Sequence, residues 1–214
     1  LLLLIIPFLS FGQDLTYVPD DTFEILIEST IPSASNGNNN DNYVFSYALQ
    51  LNTAFTINNN YGPIFDLTGI EDFTFTFLEI DDTYITSLDL INVNFNNPNG
   101  QTQWNSVGLK ITENEFLEQI ILPEDTLISI RISDNDLLNN IVFNPDFGFS
   151  SFHIGSTVSG SQLCQPNLCG VSFEGSIIAA GTNTGSIKIY SPDIYQLDFS
   201  NILSAPYQTE IFIG

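Results

Sequence analysis

The sequence predicts a mainly β protein: a right-handed solenoid of short parallel strands that form a concave sheet, with a short capping helix at the N-terminal end. Two observations carry the solenoid. Leu109-Lys110-Ile111-Thr112-Glu113-Asn114-Glu115-Phe116, followed by Ile120-Ile121-Leu122, starts again as Ile130-Arg131-Ile132-Ser133-Asp134-Asn135-Asp136-Leu137, followed by Ile141-Val142-Phe143. The second copy lies 21 residues after the first, Ile132 following Ile111. A third observation carries the helix: Pro19-Asp20-Asp21 reads as a helix start, and Phe23, Leu26 and Ile27 share one face at spacings i, i+3, i+4.

Both copies fit L-x-L-x-x-N-x-L, where L is any large apolar residue. This is a leucine-rich-repeat pattern, with a unit of about 20–29 residues. The template has a packing rationale. Each coil points its apolar positions inward and needs neighbouring coils to cover them. The strand alternates in and out with period two, and the Asn that follows turns the chain inward. Its side-chain amide can satisfy backbone groups of adjacent coils that a buried turn leaves unpaired. Asn114 and Asn135 hold that position.

In chain order, Leu1 to Phe11 is almost wholly apolar and too short to span a bilayer as a helix. Ser10-Phe11-Gly12 fits signal-peptidase cleavage after Gly12, so residues 1–12 read as an N-terminally incomplete signal peptide. Residues 13–42 hold the capping helix and a polar loop, Ser33 to Asn42, whose oxygen-bearing side chains resemble half a calcium loop but lack the bidentate Glu. Residues 43–214 form the solenoid. Tyr43 to Phe77 is its irregular opening, with apolar residues at every third position around Asp66 to Phe73.

Leu15 to Glu24 and Asp66 to Phe73 resemble the opening of secreted leucine-rich-repeat proteins of Gram-negative bacteria, a group often exported by type IX secretion. The resemblance implies fold and export to the cell surface or medium, not an activity. The C-terminal sorting domain common in that group is not in this sequence.

The first full coil is Leu78-Glu79-Ile80-Asp81-Asp82-Thr83-Tyr84-Ile85, with Leu88-Asp89-Leu90 after it and Thr83 in the Asn position. An Asn/Pro/Gly insertion at Asn92 to Asn105 separates it from the two clean coils. Phe152-His153-Ile154 is the next strand, and a second insertion from about Ser156 to Thr184 precedes Ile187-Lys188-Ile189. A partial strand is expected at Val171 to Phe173, and Pro192 stands where the template has Asn. Ile211-Phe212-Ile213 is a last strand with no polar cap after it, so the reading takes the C-terminus as truncated. Cys164 and Cys169, spaced C-x4-C, are expected to form a local disulfide in an exported chain; no further Cys or His lies near them to build a metal site.

Charge limits the partners. With 25 acidic residues against 3 Lys+Arg the formal charge is −22, which argues against nucleic acid and anionic membranes. The central residue of each L-x-L strand faces outward on the concave sheet. Those residues are Glu79, Lys110, Arg131, His153 and Lys188, and they include every Lys, Arg and His of the chain. One reading is a basic stripe, with Tyr190 nearby, that binds an anionic protein or glycan; the other is an ion-pair lattice with the acidic columns beside it. Asp82, Glu113 and Asp134 make one such column and raise Ca2+ as a possible ligand; no other cofactor is expected.

Catalytic patterns are thin: His153 is the one His, and no G-x-S-x-G or phosphate-cradling loop occurs. The expected function is a non-catalytic binding or adhesion module. The alternatives are a polysaccharide-active parallel β-helix enzyme and a structural spacer of a larger surface protein.

Overall fold

The computed structural model describes residues 14–38, 40–51, 53–95, 108–124, 126–135, 137–138, 140–142, 148–154, 177–178, 186–189, 202–203 and 210–213. Strand β1 (Leu15–Tyr17) pairs antiparallel with β2 (Tyr43–Phe45), and helix α1 (Asp21–Thr30) lies between them in the chain. The N-cap of α1 is Asp20, whose Oδ1 accepts from the N–H groups of Thr22 and Phe23 at 3.0 Å each. Pro19 therefore stands before the cap rather than inside the first turn.

Phe23, Leu26 and Ile27 are buried, as the spacing requires. Glu24 is buried as well. Its Oε1 accepts from Asp41 N–H at 3.3 Å and its Oε2 from Asn42 N–H at 3.0 Å, fastening the polar loop to the helix. Burial raises the Glu24 carboxyl above the ordinary glutamate range; the two backbone bonds oppose the rise, and the charges of Glu28 and Asp41 add to it.

After a one-turn helix α2 (Ser46–Leu49) come β3 (Thr53–Ile57), β4 (Thr74–Asp81), β5 (Ser87–Asp89), β6 (Asn94–Phe95), β7 (Leu109–Thr112), β8 (Gln119–Ile121), β9 (Thr126–Ser133), β10 (Asn140–Val142) and β11 (Gly148–Ile154). The described strands end with β12 (Ile177–Ile178), β13 (Ser186–Ile189), β14 (Ile202–Leu203) and β15 (Glu210–Ile213). The protein is thus mainly β, with few helices and, among the described residues, two parallel sheets. The larger runs β3-β4-β7-β9-β11 and on through the later strands, with β6 beside β4; the smaller is β5-β8-β10.

β3 belongs to this parallel array, pairing with β4, so the strands begin earlier in the chain than the repeat pattern predicts. The register of the larger sheet sets Ile80, Ile111, Ile132, Ile154 and Ile189 side by side. In the smaller sheet Leu88, Ile120 and Ile141 are partners.

One core joins the two sheets. Leu78, Ile80, Leu109, Ile111, Ile130 and Ile132 enter it from the larger sheet, and Leu88, Ile120 and Ile141 from the smaller. At the N-terminal end it becomes aromatic: Phe73 lies 5.1 Å from Phe75, 5.3 Å from Phe55 and 6.4 Å from Phe23 between ring centroids. Each fully buried ring of this kind contributes about 1.5–3 kcal/mol over an exposed one. β1 packs close to the turn at Gly69, where φ is +99° and a Cβ would lie 2.8 Å from the Tyr17 carbonyl oxygen.

The inward turns after β7 and β9 differ from the template in one respect. Phe116 and Leu137, read as inward, are 43% and 42% exposed. The inward residues are Leu117 and Leu138, whose N–H groups bond back to the carbonyls of Asn114 and Asn135. In the first coil the inward residue is Ile85, two positions after Thr83 rather than three, so the clean coils carry one extra residue in this turn.

Candidate binding face

The outward side of the larger sheet is built by alternation. Between the buried Leu78 and Ile80, Glu79 must point away from the core, and Lys110 and Arg131 do so between Leu109 and Ile111 and between Ile130 and Ile132. Parallel register then makes a row: Thr56 partners Glu79, Glu79 partners Lys110, Lys110 partners Arg131, Arg131 partners His153, and His153 partners Lys188. Neighbours in such a row are about 4.8 Å apart. The expected column is therefore brought together in the backbone; the side chains of His153 and Lys188 lie outside the described residues.

Within the row, Lys110 Nζ forms an ion pair with Glu79 Oε1, and the two side chains are 30% and 21% exposed. Thr56 Oγ1 donates to Glu79 Oε2 at 3.3 Å. Arg131 is half-buried and has no ion-pair partner among the described residues. Thr56 is a member of the row that the repeat pattern missed, as is Phe212, the register partner of Lys188. The signal for Thr56 was the alternation Phe55-Thr56-Ile57 with Asn60 at the template spacing after it.

Asp82, Glu113 and Asp134 sit just past the strand ends, all with positive φ, at 51°, 58° and 57°. That left-handed conformation makes the bend into the buried Thr83, Asn114 and Asn135. The three acids are thus turn residues. Among the described residues no three His, Cys, Asp or Glu side chains are grouped so as to hold a metal ion. Asp82 Oδ2 instead accepts from Asn59 Nδ2 at 2.6 Å.

Behind the acids runs a ladder of buried polar groups. Asn114 Oδ1 accepts from the N–H and hydroxyl of Thr83, at 2.9 and 2.6 Å. Asn135 Nδ2 donates to Ile111 O in the adjacent coil at 3.1 Å and to Ser133 O at 2.9 Å. The amide role inferred for the Asn positions is met in full.

Tyr190, Asp136, Pro192, Cys164 and Cys169, the leader expected at 1–12 and the strand expected at Val171 to Phe173 lie outside the described residues. Among the described residues no helix is long and apolar enough to cross a membrane. Comparison of the chain with protein-family models, characterised proteins and solved structures gives no match.

Proposed function

We propose that this chain is an exported, non-catalytic binding module. In this reading it is a leucine-rich-repeat-like solenoid over residues 43–214, closed at its N-terminal end by α1, and its concave face takes an anionic protein or glycan. Lys110, Arg131, His153 and Lys188 are the recognition residues, with Tyr190 beside Lys188 in the chain. The observation that supports this is the unbroken register Lys110–Arg131–His153–Lys188 across four strands. Cations on adjacent strands repel unless a negative group lies close. Glu79 supplies one for Lys110. Among the described residues none pairs with Arg131, so an anionic ligand would complete the row there. Export rests on the leader at 1–12 and on the resemblance to secreted Gram-negative proteins, and it predicts a mature N-terminus at Gln13.

The test is an array of acidic and neutral glycans and surface proteins, probed with wild type and a Lys110→Ala/Arg131→Ala double variant, with and without Ca2+. Anion-dependent binding that the double variant loses supports the reading; binding that both share, or none, contradicts it.

The Lys110–Glu79 pair favours one second reading, a structural spacer in which the row is an internal charge lattice. Such a pair at a partly exposed site contributes about 0–1 kcal/mol. The spacer reading predicts that the double variant changes stability slightly and binding not at all.

A further inference from the structure

A second surface lies past the bend of each coil. Phe65, Tyr84 and Phe116 come from successive turns and form a row of rings, with centroid spacings of 5.5 and 5.4 Å. They are 63%, 38% and 43% exposed. Bulky rings turned to water in register are uncommon on a surface with no partner. The register holds because Tyr84 N–H bonds to Ile64 O, which sets Phe65 beside Tyr84. The extra residue in the turn of the second coil brings Phe116 outward beside Tyr84.

Exposed carboxylates neighbour the row in the chain. Glu115 precedes Phe116 and Glu118 follows it by two, Glu113 lies at the bend before it, and Asp66 follows Phe65. All four are exposed. Glu113, Glu115 and Glu118 make no ion pair among the described residues.

We infer that the ridge Phe65–Tyr84–Phe116, with the carboxylates that neighbour it in the chain, is a docking surface for a Lys/Arg-rich segment of a protein partner. The charge selects the occupant, since rings with uncompensated carboxylates as chain neighbours ask for a ligand that is apolar along its stem and cationic at its tip. Lys and Arg side chains have that form. Tyr84 has a ring on either side, and it is stacked on Phe116 with 22° between the planes. What it offers to a ligand is therefore its edge and hydroxyl. An aliphatic stem covers such an edge while the charged head reaches a carboxylate, with guanidinium–carboxylate hydrogen bonds fixing the register. A sugar, which stacks on ring faces, fits less well. A second copy of this chain is a poor occupant: it offers 3 Lys+Arg against 25 acids, and its net charge of −22 repels.

The test uses the whole chain and an oligo-arginine peptide, with an oligo-glutamine peptide as the uncharged control, in fluorescence titrations over a range of salt. Three paired variants divide the contributions. Tyr84→Ser/Phe116→Ser removes the rings at constant charge. Glu113→Gln/Glu115→Gln removes neighbouring charges at constant shape. Asp14→Asn/Asp41→Asn removes as much charge elsewhere. The inference predicts salt-sensitive binding of the cationic peptide, weakened about tenfold by each of the first two pairs, as loss of two contacting rings or two charge partners implies. The third pair should bind as wild type does. If the serine pair fails to fold, the comparison of the glutamine and asparagine pairs decides alone. Equal weakening by those two pairs would reduce the effect to net charge and overturn the inference. So would unchanged binding by a folded serine pair, ring-dependent binding of the uncharged peptide or of a neutral glycan, or self-association through the ridge.

Discussion

Asn135 Oδ1 accepts two hydrogen bonds from Asn114, one from its backbone N–H and one from its side-chain amide, each 3.0 Å long. Both residues are fully buried, so water cannot replace either bond. Asn135→Ala leaves Asn114 N–H, Ile111 O and Ser133 O short of a partner. It should cost about 2–5 kcal/mol, since each orphaned buried group costs about 1–3 kcal/mol. Thr83→Val removes only one hydroxyl donor at the end of the ladder and should cost about 1 kcal/mol. Urea melts of the two variants check the order; equal, small effects would mean the ladder is not formed.

The turn after the ladder gives a sharper test of register. Leu117 is fully buried and its neighbour Phe116 is 43% exposed. Leu117→Ala should cost about 2–5 kcal/mol, as should Leu109→Ala and Ile132→Ala, because these sites leave a cavity. Phe116→Ala should cost about 1 kcal/mol or less, as a surface change does. The reverse order would return the inward position to Phe116.

Much of this was legible in the sequence, and the exceptions have physical causes. The strands at Leu109 and Ile130 were readable because a two-residue alternation is tied to an Asn that is buried, and the strand at Phe152 because Phe152-His153-Ile154 repeats the alternation 22 residues after Ile132. Phe116 and Leu137 were misread because a template of apolar letters cannot tell which of two adjacent apolar residues turns inward; the answer depends on the hydrogen bond from Leu117 N–H to Asn114 O. β3 was missed although Asn60 follows Phe55-Thr56-Ile57 at the template spacing, because the apolar position after it is Gly62, and Asn60 is exposed where Asn114 and Asn135 are buried. Burial of Glu24 was hidden because the N–H groups that hold it belong to Asp41 and Asn42, which no helical periodicity connects to it. The outward row was legible as a register from Glu79 to Lys188, though not at its ends, Thr56 and Phe212, and what it binds was not legible.

Glu113 occupies a left-handed conformation that Asp and Asn tolerate and Glu does not favour, with φ at 58°. Glu113→Asn should stabilise the fold by about 0.5–1 kcal/mol, and Glu113→Val should destabilise it by more. Denaturation midpoints compare the two. A loss of stability in Glu113→Asn would mean that the Glu side chain holds the turn in some other way.

Glu24 predicts a pH dependence. Its folded carboxyl titrates above the value of about 4.5 for a free glutamate, chiefly through burial. Between those two values the folded state binds more protons than the unfolded, so stability falls as pH rises. The contribution is fully present below about pH 4.5 and is lost as pH passes the raised value. Relative to Glu24→Gln, which does not titrate, wild type should gain stability as pH is lowered from 7 towards 4.5. Melts of both proteins across that range check it; a difference that does not change with pH would contradict it.

The most direct measurement is the affinity of three proteins for one anionic polymer, poly-glutamate, at low salt. Glu79→Gln removes the carboxylate that pairs with Lys110 and frees that cation. Arg131→Ala/Lys188→Ala removes two members of the row. A binding row predicts that Glu79→Gln binds more tightly than wild type and the double variant more weakly. Equal affinities across all three proteins would contradict it and leave the row as an internal charge lattice.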